Sequence, residues 1–91
     1  MDIAGWRRKI DRIDRKLVTL LDERARAVRA IGRLKRAVQS PIREPERERG
    51  VLDKVRALNP GTLSDDDLVK VFRRIIGVMR KVQTDEARRG K

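Results

Sequence analysis

Apolar residues in the first third of the chain recur at steps of three and four, which is the spacing of one face of an α-helix. The row consists of Ile3, Trp6, Ile10, Ile13, Leu17, Leu20, Leu21, Val28, Ile31, Leu34 and Val38. Ser40 precedes Pro41, and the residue before a proline is pushed towards extended geometry. The pattern therefore predicts one long helix over about residues 3–38.

Two further apolar rows predict two shorter helices. Pro45 is tolerated in a first helical turn, and the breaker Asn59-Pro60-Gly61 follows the second row. Ser64 and Asp67 have the spacing of a capping box and precede the third row. The rows are Val51, Leu52, Val55 and Leu58, then Leu68, Val71, Phe72, Ile75, Ile76, Met79 and Val82. The predicted helices cover about residues 45–58 and 64–84, and the polar tail over 84–91 is expected to fray. No strand pattern is present, so the sequence predicts an all-α fold. We expect three helices in a single domain over residues 1–91.

The missing residue types narrow the chemistry. The sequence contains no cysteine and no histidine, which excludes disulfides and thiolate metal sites and removes the usual general base. No apolar run is long enough for a signal peptide or a membrane span. We therefore expect a soluble, cytoplasmic protein with no metal site and no membrane partner.

Positive charge dominates the composition, with 25 Lys and Arg residues against 14 Asp and Glu residues and a formal net charge of +11. Such a charge is typical of nucleic-acid binding. However, the basic residues are interleaved with acidic ones along the whole chain, and one Trp, one Phe and no Tyr offer no platform on which bases could stack. Small anionic ligands fit the charge equally well, and we favour them over nucleic acid.

Several polar residues fall on the predicted apolar faces, where a charge is costly unless it is paired or hydrogen-bonded. They are Arg7, Arg24 and Lys35 in the first helix, Glu44 and Glu48 around the start of the second, and Gln83 in the third. Any one of them alone is more often a structural or incidental residue, because long basic side chains reach water easily. Together, on three inward faces, they predict a polar pocket for an anion that carries hydroxyl or ether oxygens.

The first helix is too long for one compact chain. It would measure about 50 Å, whereas a globule of this size has a radius of gyration near 12 Å. Arg7 and Arg24 lie about 25 Å apart along it, too far for one small dianion to contact both. Two antiparallel copies would cover the apolar row and bring Arg7 of one chain towards the distal half of the other. Our hypothesis is a two-fold homodimer with two composite pockets.

Four parts of the sequence carry a family resemblance. They are Trp6–Asp14 followed by Leu17, Leu20, Leu21 and Glu23-Arg24, then Ile31–Lys35, then Pro41–Arg49 with its Pro-x-Arg-x-x-x-Arg-Glu spacing, and Phe72–Ile76. Over about residues 5–83 the chain resembles the all-helical chorismate mutases of the small, intertwined-dimer type. The resemblance implies an intertwined homodimer of three-helix chains that rearranges chorismate to prephenate without a cofactor, in aromatic amino-acid biosynthesis.

The resemblance also implies the catalytic roles. Arg24, together with Arg7 of the partner subunit, would clamp the two carboxylates of the substrate. Lys35 would donate to the ether oxygen and to a carboxylate, and Gln83 would donate to the ether oxygen from the other side. Because this rearrangement needs no nucleophile and no proton transfer, a chain without histidine or cysteine can perform it.

The remaining implied binding residues include two departures from the family pattern. Glu48 and the backbone near Glu44 would hold the ring hydroxyl, and Arg47 would support the charge network. Glu44 stands where many members have Asp, which changes its reach. Met79 stands where some members have a small hydroxyl residue that binds a substrate carboxylate, so that contact would be lost or the pocket reshaped.

Other functions stay open at this point. Within the same fold, an isochorismate-pyruvate lyase uses a similar pocket, and an aminodeoxychorismate mutase binds a ring with an amine in place of the hydroxyl. Glu48 favours the hydroxyl, although a carboxylate also binds an ammonium. Outside enzymes, the alternatives are a basic helical nucleic-acid binder and a structural helical hairpin. Docking onto a larger shikimate-pathway enzyme, as some small members do, is a further open partnership.

Overall fold

Three helices make up the regular structure of the computed structural model, which describes residues 1–89. In chain order they are α1 (Ile3–Ala37), α2 (Pro45–Leu58) and α3 (Asp65–Arg89). No strand occurs within residues 1–89. The predicted all-α fold class with one long, one short and one medium helix is confirmed.

Local capping explains where the helices begin. The Asp2 carboxylate accepts a hydrogen bond from the Gly5 N–H at 2.8 Å, which caps α1. Pro45 occupies the first turn of α2. Backbone N–H groups in a first turn have no acceptor within the helix, so proline, which lacks this group, loses no hydrogen bond there. The Ser64 hydroxyl accepts from the Asp67 N–H at 3.1 Å ahead of α3, so the predicted N-cap is formed.

The end of α1 has the geometry of a Schellman motif. Gln39 has a φ of 55°, the left-handed conformation that usually selects glycine. The Ser40 N–H donates to the Lys35 carbonyl at 2.8 Å, and the Gln39 N–H donates to the Arg36 carbonyl at 3.2 Å. The chain thereby turns away immediately after the last turn of α1, which contains Lys35.

The chain's core lies along α3, which packs against both α1 and α2. Its buried apolar side chains come from all three helices: Val28, Val55, Val69, Ile76 and Met79. α1 and α3 approach closely at Gly32, where an added Cβ would lie 3.5 Å from the Gln83 Cα. The glycine therefore lets the backbone that carries Gln83 come close to the last turns of α1.

The third helix continues five residues beyond the end predicted near residue 84. The expected fraying of residues 84–89 is wrong because Glu86 is buried and holds α3 against α1. Its carboxylate accepts from Arg33 Nε at 2.9 Å, and Arg36 donates to its backbone carbonyl at 2.8 Å. Residues 90–91, the end of the predicted tail, lie outside the described residues.

The first half of α1 extends beyond the rest of the chain. The molecule measures 53 × 25 × 14 Å with a radius of gyration of 16.3 Å, larger than the value of about 12 Å for a compact chain of this length. Large apolar side chains stand exposed along this half: Ile3, Trp6, Ile10, Ile13, Leu17, Leu20 and Leu21. Within residues 1–89, no helix combines the length and the apolar character needed to cross a bilayer.

Candidate active site

A cavity of about 330 Å³ opens between the C-terminal half of α1, the start of α2 and the C-terminal half of α3. Seven of the eight residues predicted for the site line it: Arg24, Lys35, Glu44, Arg47, Glu48, Met79 and Gln83. Its apolar walls are Ala27, Val28, Ile31, Ile42, Val51 and Ile76. A few convergent polar groups in an apolar cavity are typical of a small-molecule site.

Arg7 does not line this cavity. It lies on the exposed first half of α1, and the helical rise separates it from Arg24 by about 25 Å along the axis. Within one chain, the structure therefore brings together every predicted site residue except this one.

Lys35 is the most connected cation of the cavity. Its ammonium donates to the Ile42 carbonyl at 3.0 Å and to Gln83 Oε1 at 3.3 Å, and it forms an ion pair with Glu44 at 2.5 Å. Its side chain is only 12% exposed. Three acceptors, two in the connection between α1 and α2 and one on α3, hold its charge at one point of the cavity wall.

The bond from Lys35 also fixes the orientation of the Gln83 carboxamide. Because Oε1 of Gln83 accepts from the ammonium, Nε2 is the end that remains to donate elsewhere. Gln83 lines the cavity beside Lys35. The two side chains thus form a pair of hydrogen-bond donors on one wall.

Glu48 is held by Arg80, a residue that sequence reasoning missed. Arg80 Nε donates to one Glu48 carboxylate oxygen at 3.2 Å, and Arg80 Nη2 donates to the other at 2.9 Å. Arg80 follows Ile76 by four residues and precedes Gln83 by three, so helical spacing alone places it on the inward face of α3. That spacing was the available signal.

Arg24 and Arg47 line the cavity without an ion pair to any carboxylate within residues 1–89. Burial lowers the pKa of the Arg24 guanidinium, and the positive charge of Arg47 lowers it further. Both effects disfavour the charged form, and an anion placed between the two guanidiniums would offset them. The cavity is therefore prepared for a negatively charged ligand.

Met79 and Glu44, the two residues that depart from the family pattern, both line the cavity. Met79 is buried and forms an apolar part of the cavity wall. Glu44 precedes the first turn of α2, and its backbone carbonyl accepts the Glu48 N–H at 3.0 Å. Its carboxylate is directed to Lys35. No group of three or more acidic side chains within residues 1–89 is arranged to hold a metal ion.

Glu86 is the second important residue that the sequence did not reveal. Its carboxylate lies 2.9 Å from Arg33, 3.7 Å from Arg29 and 3.9 Å from Arg89. The Arg33 hydrogen bond lowers the pKa of the Glu86 carboxyl below its ordinary value, against the opposing effect of burial. Glu86 is three residues beyond Gln83, so this ion-pair cluster fixes the part of α3 that enters the cavity.

Comparison with known proteins gives a consistent family. The model of the family described as chorismate mutase type II matches residues 6–84. A chorismate mutase of Methanocaldococcus jannaschii is 33% identical over 75 residues, which cover 81% of this chain and 76% of that protein. A bifunctional chorismate mutase/prephenate dehydratase of Aquifex aeolicus is 40% identical over 79 residues, and the match spans 82% of this chain but only 22% of the relative.

Solved structures show the same relationship. Form II of the chorismate mutase from Thermus thermophilus superimposes with a TM-score of 0.89 at 34% identity, covering 90% of this chain and 93% of the other. Form I of that protein gives a TM-score of 0.82 at 36% identity, covering 85% and 96%. Because sequence and fold agree over most of the molecule, the chain belongs to the type II chorismate mutase family.

Proposed function

We propose that the chain is a chorismate mutase, which converts chorismate to prephenate by an intramolecular rearrangement without a cofactor. One observation carries the proposal. The cavity combines two arginines that have no carboxylate partner within residues 1–89, Arg24 and Arg47, with a fixed pair of donors, Lys35 and Gln83. This is the arrangement needed for a dianion that contains an ether oxygen. The family match supports the same conclusion.

The first task of the site is to hold the substrate in its reactive shape. In the rearrangement, a carbon–oxygen bond breaks while a carbon–carbon bond forms within the same molecule. The enolpyruvyl arm must therefore lie over the ring. Clamping both carboxylates with cations removes the flexibility of that arm, and orientation of this kind contributes a large part of the barrier reduction in intramolecular reactions.

The second task is to stabilise the charge that develops on the ether oxygen as its bond breaks. Donors that already point at this oxygen stabilise the transition state more than the ground state. Gln83 Nε2 is oriented for this by the bond that Lys35 makes to Oε1. Lys35 itself has three acceptors, so it donates to the substrate through a shared, three-centre hydrogen bond and keeps its ion pair with Glu44.

The ring hydroxyl is assigned to Glu48. A carboxylate has about four acceptor sites on its two oxygens, and Arg80 occupies one on each oxygen. The remaining sites are free to accept a hydroxyl hydrogen bond from the ring. This role follows the family pattern, with Glu44 contributing to the same end of the cavity.

The active unit is proposed to be a homodimer, in which Arg7 of the partner subunit completes each cavity. The exposed apolar row on the first half of α1 supports this, because monomers rarely expose so large an apolar surface. An antiparallel pair of α1 helices would cover that row and shorten the separation of about 25 Å between Arg7 and the site.

Mixing two inactive variants tests the composite site. Arg7→Ala and Arg24→Ala homodimers should each be nearly inactive. In a mixed dimer, one of the two cavities has both defects and the other has none. Co-refolding equal amounts should therefore restore about a quarter of the wild-type activity, since half the dimers are mixed. If the mixture stays as inactive as its components, each cavity is built from one chain and the proposed dimer is wrong.

The activity itself is tested by incubating the purified chain with chorismate and following the loss of its ultraviolet absorbance. Prephenate must be identified as the product, because a lyase would release pyruvate instead. Lys35→Ala provides the matched inactive sample. If neither chorismate nor its amine analogue is consumed while a salt-sensitive gel shift appears, the nucleic-acid alternative replaces this proposal. A cytoplasmic location and docking to a larger shikimate-pathway enzyme stay predictions.

A further inference from the structure

The pair formed by Glu48 and Arg80 is bidentate and partly enclosed. Both carboxylate oxygens accept a guanidinium hydrogen bond, at 3.2 Å and 2.9 Å. The side chains are 24% exposed for Glu48 and 37% exposed for Arg80. Paired N–H···O bonds of this kind fix orientation as well as charge. Glu48 thus meets a ligand in one geometry, with its negative charge already neutralised by a neighbour.

The charge of the other carboxylate in the cavity is also neutralised by a neighbouring cation. Glu44 is paired with Lys35, so each of the two carboxylates that line the cavity has its own cation. Arg24 and Arg47 add two positive charges that no carboxylate within residues 1–89 balances. The cavity therefore carries a surplus of positive charge even where its acidic residues lie.

The surplus of positive charge affects the binding of a ring hydroxyl and of a ring amine differently. A hydroxyl is neutral and needs only an acceptor oxygen, which a carboxylate bound to arginine still offers. An amine on the ring is protonated at neutral pH, as alkyl amines are. It needs an uncompensated negative charge, and here it would meet Arg80 beside Glu48. A like charge within a few ångströms disfavours the charged form of a ligand as it does that of a side chain.

We propose that Arg80 determines specificity: by engaging both oxygens of Glu48, it makes the cavity select a ring bearing a hydroxyl over the same ring bearing an amine. The inference rests on the proposed function and extends it. Arg80 acts through Glu48 and is a positioning residue rather than a catalytic one. Its effect appears in the ratio of kcat/KM values for the two substrates.

The test compares chorismate with its analogue that carries an amino group in place of the ring hydroxyl. Arg80→Met keeps much of the length of the side chain without its charge, which leaves Glu48 free to attract an ammonium. The ratio of kcat/KM for the hydroxyl substrate to that for the amine should fall about tenfold to a hundredfold, the range expected for one charge-assisted interaction. Arg80→Lys retains the positive charge and should keep the ratio closer to that of the wild type.

Lys81→Met is the matched control, because Lys81 is exposed on the neighbouring position of α3 and its loss removes the same charge without touching Glu48. Its ratio should equal that of the wild type. If Arg80→Met lowers both kcat/KM values equally, or if Lys81→Met shifts the ratio as much, the assignment of Arg80 is overturned.

Measurements on the unmodified protein keep the inference testable if Arg80→Met fails to fold. The wild type should prefer the hydroxyl substrate by at least about tenfold, and amine binding should not compete with chorismate at equal concentration. A wild type that converts chorismate but accepts the amine equally well overturns the role of Arg80 and leaves the mutase intact. A wild type that does not convert chorismate overturns the proposed function itself.

Discussion

Gln83 Oε1 lies 3.3 Å from the ammonium of Lys35, so the two donors proposed to act on one substrate atom are joined across the interface of α1 and α3. The bond connects residues 48 positions apart in the chain. It orients the carboxamide before any ligand enters, which means that little reorganisation remains for the moment of reaction. The packing of Gly32 against the Gln83 backbone makes this contact reachable.

Replacing Lys35 with alanine should reduce kcat by about a hundredfold or more, the typical cost of removing one preorganised donor. The fold should persist, because Glu44, the carboxylate left without its partner, is 48% exposed and can be hydrated. Stopped-flow or steady-state kinetics with circular dichroism measure both quantities. Lys54→Ala removes an exposed lysine of α2 and should leave kcat unchanged. A Lys35→Ala variant with near-normal kcat would show that Lys35 is not a donor.

Replacing Gln83 with glutamate should make the activity depend steeply on pH. A carboxyl group donates only while protonated, and the nearby Lys35 ammonium lowers its pKa, so the variant is ionised and about a hundredfold less active at neutral pH. Activity should rise as the pH falls towards that pKa and be lost as the pH rises through it. The wild-type carboxamide does not titrate, so its pH–rate profile should stay broad around neutrality.

Gln83→Ala separates the loss of the hydrogen-bond donor from the introduction of a titrating carboxyl group. It removes the donor without adding a titrating group, and its activity should be low at every pH. Identical pH profiles of kcat for Gln83→Glu and the wild type would contradict the assignment of Gln83 as the donor to the ether oxygen.

Much of this site could be predicted from spacing, because its residues occupy inward faces of helices. Lys35 and Gln83 follow apolar residues at helical steps, and the same arithmetic reaches Arg80 once the face of α3 is known. The sequence could not predict which side-chain atoms contact each other across the helix interfaces. The orientation of the Gln83 carboxamide depends on how closely α1 and α3 approach, and the pairing of Arg80 with Glu48 depends on how α2 packs on α3.

The C-terminal part of α3 shows why the rest escaped prediction. Residues after Thr84 have no apolar row, so the periodicity that predicts helices ends there. Burial of Glu86 is instead made favourable by three arginines from α1, each 50 or more residues away in sequence. Long-range charge pairing has no local sequence signal. The proposed dimer is a different case, because its signal is the length of α1, which is read directly from the sequence.

Replacing Gln39 with glycine should stabilise the fold. Gln39 has a φ of 55°, and a side chain in the left-handed region costs about 1–2 kcal/mol, partly offset by the greater freedom of glycine in the unfolded chain. The free energy of unfolding should rise by about 1 kcal/mol, measured by urea denaturation at one protein concentration. Gln39→Ala retains a Cβ and should match the wild type. A variant with glycine that is no more stable would mean that this turn is not left-handed.

Replacing Glu86 with glutamine should destabilise the fold at neutral pH by breaking its ion pairs with Arg33, Arg29 and Arg89. The pKa of Glu86 is lowered in the folded chain, so its charge contributes stability above the unfolded pKa of about 4.3, and that contribution is lost as the pH falls through the folded pKa. Urea denaturation at pH 7 and near pH 3 should therefore give a gap between the free energies of unfolding of wild type and variant at pH 7. This gap should close at the lower pH. Asp85→Asn, at an exposed neighbouring position, should show no such pH-dependent gap. If the gap for Glu86→Gln is the same at both values, the carboxylate stabilises α3 through packing rather than through its charge.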